Sequence, residues 1–472
     1  MRVTKTTAAL AAVLTAALLA GCSDAPSTDD TRRPGGTASG DAKPPARLAV
    51  PPAYDGAEGW DESLPWVPEH AEPPVAVLPG AAAVAVLTVG DAGGFAVRTR
   101  AAGTGKVLWT SAVWTPPLPL EYADKDDIPT VLGVEQDGRR FVVVSAHGTV
   151  GKDDLHEGTE VIRLAVFDAA DGPATGRKPL REIDVPVQVK ADNDGWRVSA
   201  DGGRVLVAHG GHGRYPRWGS AVDLASGKVT SYGHPAGLLK QCEGKSLECG
   251  WSRVVAAGPK GPLVGLGHGF GVPGVWFSDA VLPPGAARTG SFGFSEAWNG
   301  DVYGVAGGRF VAQWHGTEKN GSDGPTVWSV HEVGSGSLLA RTECAYEEFP
   351  TGTSQGNSRD YPVVASPSGR FLAAGPVAFD LERKQGVCLQ GDGNRKTIAV
   401  GAIADDGTAY GTVEGDASDR VTVRLDLRTA TGDAKVLGAG VEIPQHTSAA
   451  GSGLFVTRDE NENLLVAGRP LR

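Results

Sequence analysis

Apolar residues in this chain come in short continuous runs set between clusters of Gly, Asp and Ser. Phe141-Val142-Val143-Val144 follows Asp137-Gly138-Arg139-Arg140, and Val205-Leu206-Val207 follows Asp201-Gly202-Gly203-Arg204. Phe310-Val311-Ala312 follows Gly307-Gly308-Arg309, and Phe371-Leu372-Ala373 follows Ser366-Pro367-Ser368-Gly369-Arg370. A strand with one wet face alternates apolar and polar residues, so runs that are apolar throughout predict strands covered on both faces. Gly or Asp stands at the turn because tight hairpins need positive φ there. Weaker copies of the phrase lie at Gly80, Gly261, Gly407 and Gly453. No long 3.6-residue apolar period accompanies them, which points to an all-β chain.

These anchors recur at intervals of about fifty residues, the length of a four-stranded blade of the WD or kelch kind. The spacing predicts a single β-propeller of seven or eight four-stranded blades over residues 48–472, each turn joining the innermost strand to the second. The count leans to eight. Past Gly453 the chain holds one hairpin, Leu454–Thr457 with Leu464–Ala467, so a segment between Leu48 and Val77 is expected to complete the last blade. A pair of β-sandwich domains would give similar turn signals, but no internal linker divides the chain.

A second phrase strengthens the ring. Thr104-Gly105-Lys106-Val107-Leu108-Trp109 resembles the T-G-K-x-x-W turn of quinoprotein-type propellers, where Gly feeds the outer strand and Trp docks between blades. Relatives of it start at Val166-Phe167-Asp168, Val222-Asp223-Leu224, Phe379-Asp380-Leu381 and Leu425-Asp426-Leu427. All are similar to the strand, Asp, turn, Gly, strand phrase of WD-repeat-like and quinoprotein-like propellers. The resemblance implies fold more than function.

The N-terminus adds an address. Arg2 and Lys5 precede an apolar run from Ala8 to Ala20, which has signal-peptide length and is too short to span a bilayer. It ends in Leu19-Ala20-Gly21-Cys22, which resembles the lipobox of bacterial lipoproteins. That likeness implies a signal peptide at 1–21, lipid on Cys22, and attachment to the outer face of the cell membrane. Residues 22–47 are rich in Ser, Thr, Asp, Gly and Pro and read as a flexible tether. The overall composition resembles that of actinobacterial secreted proteins.

Charge and cysteines narrow the partners. A net charge of -11 gives no basic footprint for phosphate backbones, so nucleic acid is not an expected ligand. Cys242, Cys249, Cys344 and Cys388 are an even set in a chain addressed to a compartment where disulfides persist. Local pairing of Cys242 with Cys249 across a short polar loop would leave Cys344 for Cys388, with other pairings open at this point. Zinc would need CxxC-like spacings that the sequence lacks.

Candidate chemistry is sparse, and no catalytic residue, metal or cofactor is assigned. A quinoprotein dehydrogenase would carry an adjacent Cys-Cys pair, which is absent. His209, His212, His234, His268 and His315 fall in mid-chain without an HExxH helix or carboxylate triad, so they read as loop histidines. Gly334-Ser335-Gly336-Ser337 reads as a hairpin turn and not a nucleophile elbow. Of the tryptophans Trp196, Trp218, Trp251, Trp276, Trp298, Trp314 and Trp328, most are expected in blade packing. Arg214, Tyr215, Arg217 and Trp218 form a candidate ligand loop for a peptide or sugar. Two readings remain: a non-catalytic module binding protein, peptide or cell-wall glycan, and a propeller enzyme, a quinone- or metal-dependent oxidoreductase or lyase, working at the central channel.

Overall fold

Antiparallel four-stranded sheets repeat from one end of the body to the other, as the apolar runs predict. The computed structural model describes residues 48–472 apart from 91–92, 121–126, 171, 188–193, 213–217, 244–248, 250–251, 267, 293–294, 318–323, 346–362, 392–393, 414–420 and 430. Six sheets have four strands, and a seventh, of eight strands, divides into two blades, giving eight blades among the described residues. Strands are lettered a to d outward from the centre.

Blade 1 holds Val75–Val77, Ala83–Val89, Phe95–Ala101 and Val107–Thr110, and blade 2 holds Thr130–Gln136, Arg139–Val150, Thr159–Asp168 and Arg181–Pro186. Blade 3 holds Asp194–Ser199, Val205–His212, Trp218–Val222 and Val229–Tyr232, and blade 4 holds Arg253–Gly258, Gly261–Gly265, Phe270–Val272 and Trp276–Phe277. Blade 5 holds Asp301–Ala306, Arg309–His315, Thr326–Glu332 and Leu338–Cys344, and blade 6 holds Val363–Ala365, Phe371–Ala374, Val377–Asp380 and Gln385–Cys388. Blade 7 holds Ile398–Ile403, Thr408–Val413, Val421–Asp426 and Ala434–Ala439. Blade 8 takes His446–Thr447, Gly453–Arg458 and Leu464–Arg469 from the C-terminus, and its strand d is Trp60–Leu64. A separate hairpin, Thr289–Phe292 with Ser295–Trp298, lies between blades 4 and 5.

The ring closes because every neighbouring pair of blades shares a buried apolar cluster. Trp109 and Phe167 meet between blades 1 and 2, Ile183 and Val205 between 2 and 3, and Leu206 and Val254 between 3 and 4. Phe270 and Phe310 join 4 to 5, Trp328 and Phe379 join 5 to 6, and Phe371 and Ile403 join 6 to 7. Tyr410 and Phe455 join 7 to 8, and Val84 and Leu464 join 8 to 1. Because each strand b is covered by a blade on either side, Phe141–Val144 and Phe371–Ala374 are buried residue after residue. Two sandwiches would lack this circular series of interfaces.

Closure by the N-terminal segment is as the short last hairpin predicts. Trp60–Leu64 pairs antiparallel with Leu464–Gly468. The Trp60 indole lies across Gly105, where a Cβ would come within 2.5 Å of it, and its Nε1 donates to the Ala102 carbonyl at 2.8 Å. Gly105 of the T-G-K turn is therefore required by a close approach as well as by its φ of +68°. Glu62 takes Arg98 at 2.8 Å and Arg100 at 2.9 Å, so the same strand that completes blade 8 also docks on blade 1.

The two sequence phrases are the two turns of one face. The turn-and-strand anchors are the a-to-b turns, such as Asp137-Gly138, where both residues have positive φ (52° and 75°) as a two-residue hairpin demands. The Asp-turn-Gly phrases are the c-to-d turns. Asp168, Asp223, Asp380 and Asp426 each accept backbone N–H groups of their own turn. Three of them also pair with the arginine at or just before the start of strand b of the same blade: Arg139 with Asp168, Arg204 with Asp223, and Arg370 with Asp380. The recurrent Gly-Arg and Asp of the sequence are thus two halves of one interaction. In the T-G-K-x-x-W copy, Trp109 packs against Phe167 of blade 2 beneath the Arg177 guanidinium, which sits 4.3 Å from the ring.

Both expected disulfides form. Cys242–Cys249 closes the short polar loop before blade 4, and Cys344–Cys388 joins the outermost strands of blades 5 and 6. Those strands also touch in parallel register at Arg341 and Gln385, which merges the two blades into one sheet. Two bridges fit an oxidising compartment. Among the described residues no helix is long and apolar enough to cross a membrane.

Candidate binding face

The topology sorts the connections of the ring onto two faces. One face carries the a-to-b and c-to-d turns, short and capped as described, except that 172–180 of blade 2 folds back along blade 1, where Thr110 N donates to Ala174 O. The opposite face carries the b-to-c loops and the crossings between blades, including the described residues of 111–129, 151–158, 233–252 and 278–300. Long loops on a rigid scaffold are where binding residues concentrate, so this loop face is the candidate site.

Strand register places histidines there. His147, His209 and His315 stand at or near the ends of strands b of blades 2, 3 and 5, and His268 lies in the b-to-c connection of blade 4. His147 Nε2 meets Glu160 Oε1 at 2.7 Å, and Trp196 of blade 3 lies 5.8 Å from the imidazole, ring to ring. His209 stacks on Trp218 with centroids 6.2 Å apart. The His315 backbone is gripped by buried Asn299, whose Oδ1 accepts from His315 N and whose Nδ2 donates to the carbonyls of His315 and Ala287. Burial pushes the His268 imidazole below its ordinary pKa. The histidines therefore share a face without converging: among the described residues, no group of three or more His, Cys, Asp or Glu side chains is placed to hold a metal ion.

Of the candidate ligand loop, Trp218 is described and Arg214, Tyr215 and Arg217 lie outside the described residues. Trp218 keeps 37% of its surface exposed, the largest exposure of any described tryptophan and a usable stacking plane. Trp276, Trp314 and Trp328 are core residues, as blade packing predicts, and Trp251 lies outside the described residues. Cys22, the signal segment and the tether also lie outside them. His234 falls in the crossing from blade 3 to blade 4, and His212 ends strand b of blade 3.

Near the ring's axis, Arg253 and Asp301 open the innermost strands of blades 4 and 5. Their Nη2 and Oδ1 are 3.6 Å apart, and Arg253 also reaches the Val302 carbonyl at 3.3 Å. Burial raises the Asp301 carboxyl above its usual range, with Arg253 opposing it. Asp201, in the a-to-b turn of blade 3, is raised by burial in the same way.

Sequence reasoning missed the His147–Glu160 pair and the hairpin that carries it. The available signal was the polar tip Gly151-Lys152-Asp153-Asp154-Leu155-His156-Glu157-Gly158 between two apolar runs, longer than any two-residue turn needs.

No family model matches this chain, and no curated protein matches it. Solved structures do. A fungal alcohol oxidase of the AA5 family in complex with copper is 13% identical over 89% of this chain and 76% of its own, with a TM-score of 0.37. An uncharacterised protein from Listeria monocytogenes is 8% identical over 84% and 94%, with a TM-score of 0.34. The rhamnogalacturonan lyase YesW is 12% identical over 89% and 75%, with a TM-score of 0.32. These likenesses assign neither a family nor an activity.

Proposed function

We propose that this chain is an extracytoplasmic lipoprotein, held at the outer face of the cell membrane through lipid on Cys22, whose propeller binds a protein, peptide or glycan ligand without catalysing a reaction. The observation that carries the reading is the asymmetry of the ring. Capped hairpins close one face, while the other displays long loops, the Trp218 plane and most of the histidines. Two or more acyl chains make membrane attachment stable where one leaves it marginal, and a tether of residues 22–47 would let the ring stand off the lipid surface.

Detergent-phase partition of the full chain from its own cells tests the anchor. The native protein is expected in the detergent phase and Cys22→Ser in the aqueous phase. Equal partition of the two would overturn the anchored reading.

A further inference from the structure

The hairpin of strands b and c in blade 2 has the longest ladder among the described strands, running from Phe141 opposite Asp168 to Val150 opposite Thr159. Strand a of the same blade pairs only as far as Ser145, opposite Thr130, so the end of the hairpin rises past the innermost strand on the loop face. Its neck is braced from both sides. Leu118 of the blade 1 crossing bridges Thr149, Val187 N donates to the Glu160 carbonyl, and the His147–Glu160 pair sits against Trp196.

The tip is shaped as carefully as the neck. Asp153 Oδ1 accepts from Leu155 N and His156 N, both at 2.8 Å, and meets His156 Nδ1 at 2.7 Å. These bonds hold the Asp153 carboxyl below its usual pKa range and fix the turn that carries Leu155. Leu155 is 89% exposed, more than any other large apolar residue among those described. Around it Asp153, Asp154 and Glu157 outnumber Lys152, all on exposed positions. Val89, Val113 and Leu118, each about half-exposed, lie on the same face, at the end of strand b of blade 1 and in its crossing to blade 2. An isolated exposed leucine needs no explanation. One held in a fixed turn on a braced, projecting hairpin has little conformational freedom left to lose on binding.

We infer that this tip is a docking element for a protein partner presenting an apolar hollow bordered by Lys or Arg. Leu155 fills the hollow, and Asp153, Asp154 and Glu157 meet the basic rim. The inference rests on the binding reading above and names the partner chemistry within it. An apolar anchor carries affinity, while rim charges set orientation and association rate and make binding salt-sensitive.

The test is selection of displayed random peptides on the detergent-solubilised full-length protein, followed by affinity measurement against Leu155→Asp, a surface change that leaves every core cluster intact. The expected peptides carry several clustered apolar residues, which together form the hollow, bordered by Lys or Arg. Their binding should weaken at least tenfold in Leu155→Asp, and further as salt rises. Peptides that bind Leu155→Asp equally well would overturn the hairpin as docking element and leave the propeller a binding module. Failure to select any peptide would also overturn it, and a glycan array probed with the same protein would then decide whether the broader reading survives.

Discussion

Trp60→Ala is expected to destabilise the protein by about 3–5 kcal/mol, the usual range for emptying a buried tryptophan site. Three contacts are lost together at the seam of the ring: packing across Gly105, the hydrogen bond to Ala102, and the cation–π contact with Arg100, whose guanidinium lies 5.5 Å from the ring. The vacated space opens between blades 8 and 1, where Val84, Leu464 and Val466 belong to the same cluster. Urea unfolding at neutral pH measures the effect. A loss under about 1 kcal/mol would mean that the tryptophan's packing at the seam matters little to the fold.

The second large effect is a pH dependence centred on His331. This residue is fully buried in blade 5, stacked on Phe310 with centroids 5.1 Å apart. Trp314 Nε1 donates to Ser329 Oγ, Ser329 Oγ donates to His331 Nε2, and His331 Nδ1 donates to the Gly336 carbonyl. This chain of donors assigns the neutral Nδ1-H tautomer. Burial lowers the imidazole from its ordinary 6.5 to about 4. The folded protein therefore refuses a proton that the unfolded chain accepts. Above pH 6.5 neither state binds it and stability is unaffected. Between 6.5 and about 4 stability falls, by about 3 kcal/mol in all, and below that the loss saturates.

His268, lowered by burial, adds in the same direction. The lowered carboxylates Asp223, Asp380 and Asp426 matter only near and below pH 4, where their protonation removes stability. Urea midpoints measured from pH 7 to 4 should show the decline, and His331→Gln, whatever its stability at pH 7, should flatten it. An equally steep decline in the variant would place the titration elsewhere.

Much of the ring was legible because propeller physics repeats. A strand covered on both faces must be apolar throughout, so Phe141–Val144 and Phe371–Ala373 announced themselves. The turn before each one needs Gly or Asp, and the Asp at the end of strand c and the Arg at or just before the start of strand b recur because they bond each other. Closure was legible as a deficit, since the hairpin after Gly453 lacked an outer strand. The role of Trp60 was not, because a contact between residue 60 and the turn at Gly105 leaves no local pattern. The loop face was hidden for a related reason. His147 and Glu160 lie thirteen residues apart in sequence and meet only because the hairpin register sets them side by side. Trp196 joins them from a different blade.

The central claim is a single ring whose own N-terminal strand closes its last blade. Its most direct test places cysteines at Ser63, exposed on strand d, and Leu465, half-buried on strand c, which stand directly opposite each other in that pairing. Opposed antiparallel residues lie about 4.5–5.5 Å apart at Cα, within reach of a disulfide. Mild oxidation of the double variant Ser63→Cys, Leu465→Cys is expected to yield a folded monomer in which peptide mapping finds residue 63 bonded to residue 465 of the same chain. No bond, or a bond found only between two molecules, would contradict it.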